Sequence, residues 1–151
     1  MTIHPGRYIM PIRTAEARWE GNLKNGKGRV KLGSGVFEGS YSFGSRFEKA
    51  PGTNPEELIG AAHAGCFSMA LSMILGLAGF TPDSIQTTAR VTIDKVGDGF
   101  KITTIELETE GRVPGIDEKT FKEKAEAAKK GCPVSMALTG VEITLKSRLV
   151  K

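Results

Sequence analysis

Apolar and polar positions alternate in short runs at both ends of the chain, and one long uncharged segment interrupts them in the middle. Period-two patterning over Glu16 to Trp19 and Gly28 to Leu32 predicts two strands joined by an Asn25-Gly26 turn. Val36 to Phe43 predicts a third strand, with Phe37, Tyr41 and Phe43 on one face. Asn54, Pro55 and Glu57 form a helix start: a capping residue, a proline at the first helical position and an acid for the capping box. That helix is expected to run to about Ala78, with Gly79 as its stop. Ile85 to Val96 and Phe100 to Thr109 predict a hairpin turned by Gly97-Asp98-Gly99. Asp117 caps a second helix with Phe121, Ala125 and Ala128 at core spacing, ending at Gly131. A short third helix follows from Cys132-Pro133 through Leu138, and Val141, Ile143 and Leu145 alternate in a last strand. The order β-β-β-α-β-β-α-α-β predicts an α+β fold with antiparallel sheet.

The uncharged segment changes the picture. From Leu58 to Pro82 there is no Asp, Glu, Lys or Arg. Its length suits a membrane span, but it is rich in Ala, Gly and Ser, carries His63, and lacks basic flanks and an aromatic belt. The expectation is a buried helix at the centre of a soluble protein. A single small domain has difficulty covering such a helix on all sides, which points to a partner chain.

The chain has 151 residues, 39% hydrophobic and 25% charged, with a net charge of +4. This excludes disorder and is expected to make one domain over residues 1–151, with 1–13 as an extended arm. The N-terminus has no apolar core of secretory length, so the expected location is cytoplasmic. Basic residues are scattered, and no basic-aromatic cluster stands out among seven Phe, two Tyr and one Trp, which argues against nucleic acid. Two cysteines and two histidines, without paired ligand spacing, argue against structural zinc. The same two cysteines cannot form a disulfide framework. In a reducing compartment such a pair suggests redox or catalytic use. Cys132 precedes Pro133 at a helix start, where free N–H groups favour thiolate. Cys66, by residue type alone, reads first as a small core hydrophobe.

Several motifs resemble one known family. They are Ser42-Phe43-Gly44-Ser45-Arg46-Phe47-Glu48, the run from Gly52 through Asn54-Pro55-Glu56-Glu57 and His63-Ala64-Gly65-Cys66 to Leu71, Val113-Pro114-Gly115-Ile116-Asp117, and Lys130-Gly131-Cys132-Pro133-Val134-Ser135. Together they resemble the OsmC branch of the OsmC/Ohr family, from about Trp19 to Leu145. The resemblance implies a thiol-dependent peroxidase acting on organic hydroperoxides, and more weakly on hydrogen peroxide. It also implies an intertwined α+β homodimer with active sites at the subunit interface. Cys66 would be the peroxidatic cysteine and Cys132 the resolving one, with Arg46 and Glu56 completing the site. No metal, haem or flavin is implied. The reductant would be a dithiol, such as that of a lipoylated protein.

The implied chemistry asks for a thiolate at Cys66 that becomes a sulfenic acid, which Cys132 then captures as a disulfide. Lowering a thiol pKa from ~8.5 to ~5.5 raises its thiolate fraction about 30-fold but costs roughly 15- to 30-fold in nucleophilicity. Arg46 must therefore act mainly on the peroxide, orienting it and stabilising the leaving oxygen. Glu56 precedes Cys66 by ten residues, so a continuous helix separates them by about 15 Å. Glu56 can join the site of Cys66 only from a second subunit, with two helices crossing near Ala61 where Gly60, Ala64 and Gly65 allow close approach. Two alternatives stay open. One is a carrier for thiol-reactive or acyl ligands using the same pocket. The other is a Cys66-His63 hydrolase, since His63 lies one helical turn before Cys66. Phe67, Met69, Met73, Phe43 and Phe47 are expected in the core or as apolar pocket walls.

Overall fold

The structure is a computed structural model and describes residues 11–151. Of the expected N-terminal arm, residues 1–10 lie outside the described residues, and 11–13 are exposed and without regular structure. The chain divides into two compact units, one ending at Asn54 and the other beginning at Pro55.

The first unit is a three-stranded antiparallel sheet: β1 (Ala15–Glu20), β2 (Lys27–Leu32) and β3 (Glu38–Tyr41), in that order. Trp19 and Tyr41 pack with ring centroids 5.4 Å apart, across β2, whose Gly28 leaves them room. The third strand is shorter than its pattern predicts. Phe43 belongs instead to a short helix, α1 (Phe43–Phe47). The cause is local: Ser42 and Ser45 form a reciprocal capping box that turns the chain into a helix before Phe43 can extend the sheet.

The second unit is built on α2 (Pro55–Leu77), a continuous helix that stops where Gly79 adopts φ +89°. β4 (Ser84–Val96) and β5 (Gly99–Arg112) form a long hairpin. α3 (Glu118–Gly131) and α4 (Pro133–Ala137) follow, then β6 (Glu142–Val150). Asp117 caps α3 as expected, its side chain accepting from the Thr120 N–H. The sheet order is β4-β5-β6, and β6 runs parallel to β5. This corrects the expectation of wholly antiparallel sheet. α3 and α4 between the two strands supply the crossover that a parallel pairing requires.

The inner face of β5 presents Ile105, Leu107 and Thr109, while Glu106, Glu108 and Glu110 pair with Arg90 and Arg148 on the other. Phe67, Leu71 and Leu75 of α2 and Phe121, Ala125 and Ala128 of α3 complete the core, all fully buried. α2 is long and apolar enough to cross a membrane by length and composition. However, it buries a single stripe, Glu56, Gly60, His63, Phe67, Leu71 and Leu75. The opposite stripe is open: Met69 is 77% exposed, Met73 62% and Leu77 79%. The helix expected to be buried is thus half covered within one chain, and Met69 and Met73 are not core residues.

Candidate active site

Cys66 sits on the border of the two stripes of α2. Helical geometry places Phe67 about 100° to one side and Met69 about 60° to the other, and the thiol is accordingly half-buried. Cys132 ends α3 and begins α4 in an extended conformation, as a residue before proline should. Its N–H still donates to the Ala128 carbonyl at 2.9 Å, and its side chain is fully buried. Because α3 and α4 both pack on α2, the turn between them delivers Cys132 to Cys66. The two thiols are hydrogen-bonded to each other.

The surroundings of the two sulfurs differ. Burial pushes the Cys66 thiol up, the hydrogen bond with Cys132 adds to this, and the Val134 N–H opposes it without prevailing. Burial pushes Cys132 up as well, but the Cys66 thiol, the Ser135 hydroxyl and the Ser135 and Val134 N–H groups at the start of α4 together outweigh it, so the net direction is down. The surroundings therefore favour the anion on Cys132 over Cys66, which stands as a hydrogen-bond donor to it.

His63 is completely buried, and burial lowers its pKa, keeping the ring neutral. Nε2 lies 2.7 Å from the Ser135 hydroxyl, and Nδ1 has no hydrogen-bond partner among the described residues. Neither ring nitrogen serves Cys66, so the dyad that a hydrolase needs is not formed. Ser135 had no predicted role. The signal for it was its position three residues after Cys132, where one turn of helix brings the hydroxyl back over the sulfur.

Glu56 is buried near the start of α2. The helix is unbroken from there to Cys66, so the two stay about 15 Å apart within one chain.

Arg46 belongs to the first unit, in the last turn of α1. Its guanidinium lies 5.3 Å from the centre of the Phe47 ring, within the range of a cation–π contact. Ser45 anchors this turn, its hydroxyl donating to the Thr53 carbonyl at 2.8 Å. Trp19, Leu23, Tyr41, Phe43, Arg46 and Phe47 line an open cavity of about 280 Å³. Phe43 and Phe47 are thus pocket walls, whereas Phe67 is core.

A hydrogen-bonded dithiol set into the core of an α+β unit defines a protein of thiol redox chemistry. Residues 47–146 match the family profile described as OsmC-like protein. The chain is 56% identical over 150 residues, 99% of each chain, to the protein named peroxiredoxin OsmC of Escherichia coli strain K12. It is 31% identical over 105 residues to the organic hydroperoxide resistance protein OhrA of Bacillus subtilis, covering 67% of this chain and 70% of that one. Among solved structures it resembles an organic hydroperoxide resistance protein of Elizabethkingia anophelis with TM-score 0.70 and 26% identity, over 95% of this chain and 100% of that one. The chain belongs to the OsmC-like protein family.

Proposed function

We propose that this chain is a cysteine-based peroxidase that reduces organic hydroperoxides, with Cys66 as the attacking thiol and Cys132 as the resolving one. The observation that carries this reading is the Cys66–Cys132 hydrogen bond. It joins one thiol that a substrate can reach to one that it cannot.

The order of events follows from exposure and charge. The hydroperoxide meets Cys66. As Cys66 attacks the distal oxygen, its proton passes to the Cys132 sulfur already bonded to it. The S–O bond forms, the O–O bond breaks, and the alkoxide leaves as the alcohol after taking that proton. The Cys132 thiolate then attacks the sulfenic sulfur; the S–S bond forms, the S–O bond breaks and hydroxide leaves. A dithiol, such as that of a lipoylated protein, reopens the disulfide by exchange.

Arg46 is assigned to orienting the peroxide and stabilising the departing oxygen. The aromatic cavity beside it suits a bulky apolar substituent better than hydrogen peroxide. Glu56 is assigned to the site of a second subunit, where it would hold Arg46. The exposed stripe Met69, Met73 and Leu77 and the open surface at Gly65 support a homodimer formed through α2. We take residues 1–151 to be one OsmC-like domain, because the matched segment runs across the boundary at Asn54. Free thiols suit a cytoplasmic location.

Steady-state assays with a cumene-type hydroperoxide and with hydrogen peroxide, each driven by a small dithiol or a lipoyl donor, test this reading. The organic substrate should be turned over with the higher kcat/KM. Absence of turnover with either peroxide would contradict it.

A further inference from the structure

We propose that His63 and Ser135 form a one-way hydrogen-bond relay onto the Cys132 sulfur, and that both are positioning residues for the resolving step. The proposal rests on the peroxidase reading above and adds residues that it did not use.

The direction of the relay follows from counting hydrogens. Ser135 has a single hydroxyl hydrogen and donates it to the Cys132 sulfur. Its oxygen, 2.7 Å from His63 Nε2, must then accept, so Nε2 carries the ring proton. Nδ1 is left as an acceptor, buried and without a partner among the described residues. A wholly buried imidazole with one nitrogen unsatisfied is costly. Its other nitrogen is spent entirely on Ser135, which is itself buried. The chain His63 Nε2–H to Ser135 O–H to Cys132 Sγ presents donors only, which suits an anionic sulfur. Among the described residues Cys66 is the one titratable group bonded directly to that sulfur, and His63 acts through Ser135.

The consequence lies in the second chemical step. Cys132 must attack the Cys66 sulfenic acid as a thiolate, forming S–S while hydroxide departs and is protonated to water. Removing the relay raises the Cys132 pKa. With a nucleophilicity slope of ~0.4–0.5, closure slows about threefold for each unit of that rise, once the pKa exceeds the ambient pH.

The test has two arms. In the first, thiolate absorbance is titrated in C66S, where Cys132 is the sole cysteine, and in C66S/S135A and C66S/S135T. The Cys132 pKa should rise on loss of the hydroxyl and return with threonine. In the second, one equivalent of an alkyl hydroperoxide is mixed with the reduced full chain, with dimedone present to trap sulfenic acid. S135A should still oxidise at Cys66 but close at least about threefold more slowly and trap as the adduct. S135T should restore closure, and H63Q, whose amide can still donate, should close faster than H63A. An unchanged Cys132 titration and unchanged closure in S135A would overturn the relay. If the wild-type chain formed neither adduct nor disulfide, the peroxidase reading would fail, while the titration would still decide the relay because it needs no peroxide.

Discussion

The thiols of Cys66 and Cys132 are 66 positions apart in sequence and hydrogen-bonded in the fold. The bond asks only that the α3–α4 turn sit against the middle of α2. It leaves Cys66 half-open and Cys132 sealed. The proposed disulfide would therefore form locally, with no large rearrangement of the core helices.

Replacing Cys132 with Ser should leave the first oxidation intact and remove the second. One equivalent of hydroperoxide should give a Cys66 sulfenic acid that dimedone traps. Excess should drive it to the irreversible sulfinic and sulfonic acids. Intact-mass spectra taken across a peroxide titration check this, and a reversible loss of two hydrogens in this variant would contradict it.

Arg46→Lys should lower kcat/KM for organic hydroperoxides by about 100-fold or more, as loss of one oriented donor to a developing oxyanion does. A lysine keeps the charge but not the planar fork. Stopped-flow rates of Cys66 oxidation report this directly, and a rate within a few-fold of wild type would remove Arg46 from its assigned role.

A charge on the exposed stripe of α2 should divide the proposed dimer. Met73→Asp leaves the core unaltered because Met73 is 62% exposed. It is expected to shift the protein to monomer in sedimentation and to lower peroxidase activity in parallel, since Glu56 and Cys66 of one chain cannot meet. A monomer with full activity would show that one chain suffices.

Packing makes a separate claim. A Cβ on Gly111 would run into the Phe121 ring, so Gly111→Ala should destabilise the fold by roughly 1–3 kcal/mol through overpacking. Phe121→Ala, at a fully buried position, should cost about 3–5 kcal/mol. Urea denaturation of both variants measures these losses.

His63 also predicts a pH effect. Its folded pKa is lowered by burial, so below ~6.5 the unfolded chain binds a proton that the folded chain does not. Stability should then fall with decreasing pH, by up to about 1.4 kcal/mol per unit, until the folded pKa is reached. Denaturation at pH 7.5 and 5.5 should show this loss in wild type and a smaller one in His63→Gln. Asp117, whose folded pKa is lowered by its cap to Thr120, loses its contribution only at more acidic pH. The two therefore separate.

Local signals carried most of the fold into view from sequence. Asp117 capped its helix, Pro55 opened α2, and Phe121, Ala125 and Ala128 went to the core. What escaped was tertiary. The parallel pairing of β6 with β5 leaves no mark in a period-two pattern, which is the same for either strand direction. The helix at Phe43 depends on the Ser42–Ser45 exchange, and the aromatic alternation around it hides that exchange. Of the candidate site, both cysteines and their meeting were legible through motif resemblance. Which sulfur the surroundings favour as the anion was not, because that depends on Ser135 and Val134 groups that reach Cys132 only once α4 has formed. The dimer argument was legible as geometry, ten residues of unbroken helix between Glu56 and Cys66.

The proposed peroxidase depends on a dithiol that cycles through a disulfide. The most direct measurement is the intact mass of the fully reduced chain after one equivalent of alkyl hydroperoxide, with Cys66→Ser alongside. The wild-type chain should lose two hydrogens and recover fully with a dithiol, and Cys66→Ser should not change. An unchanged wild-type mass, or the same loss in Cys66→Ser, would contradict it.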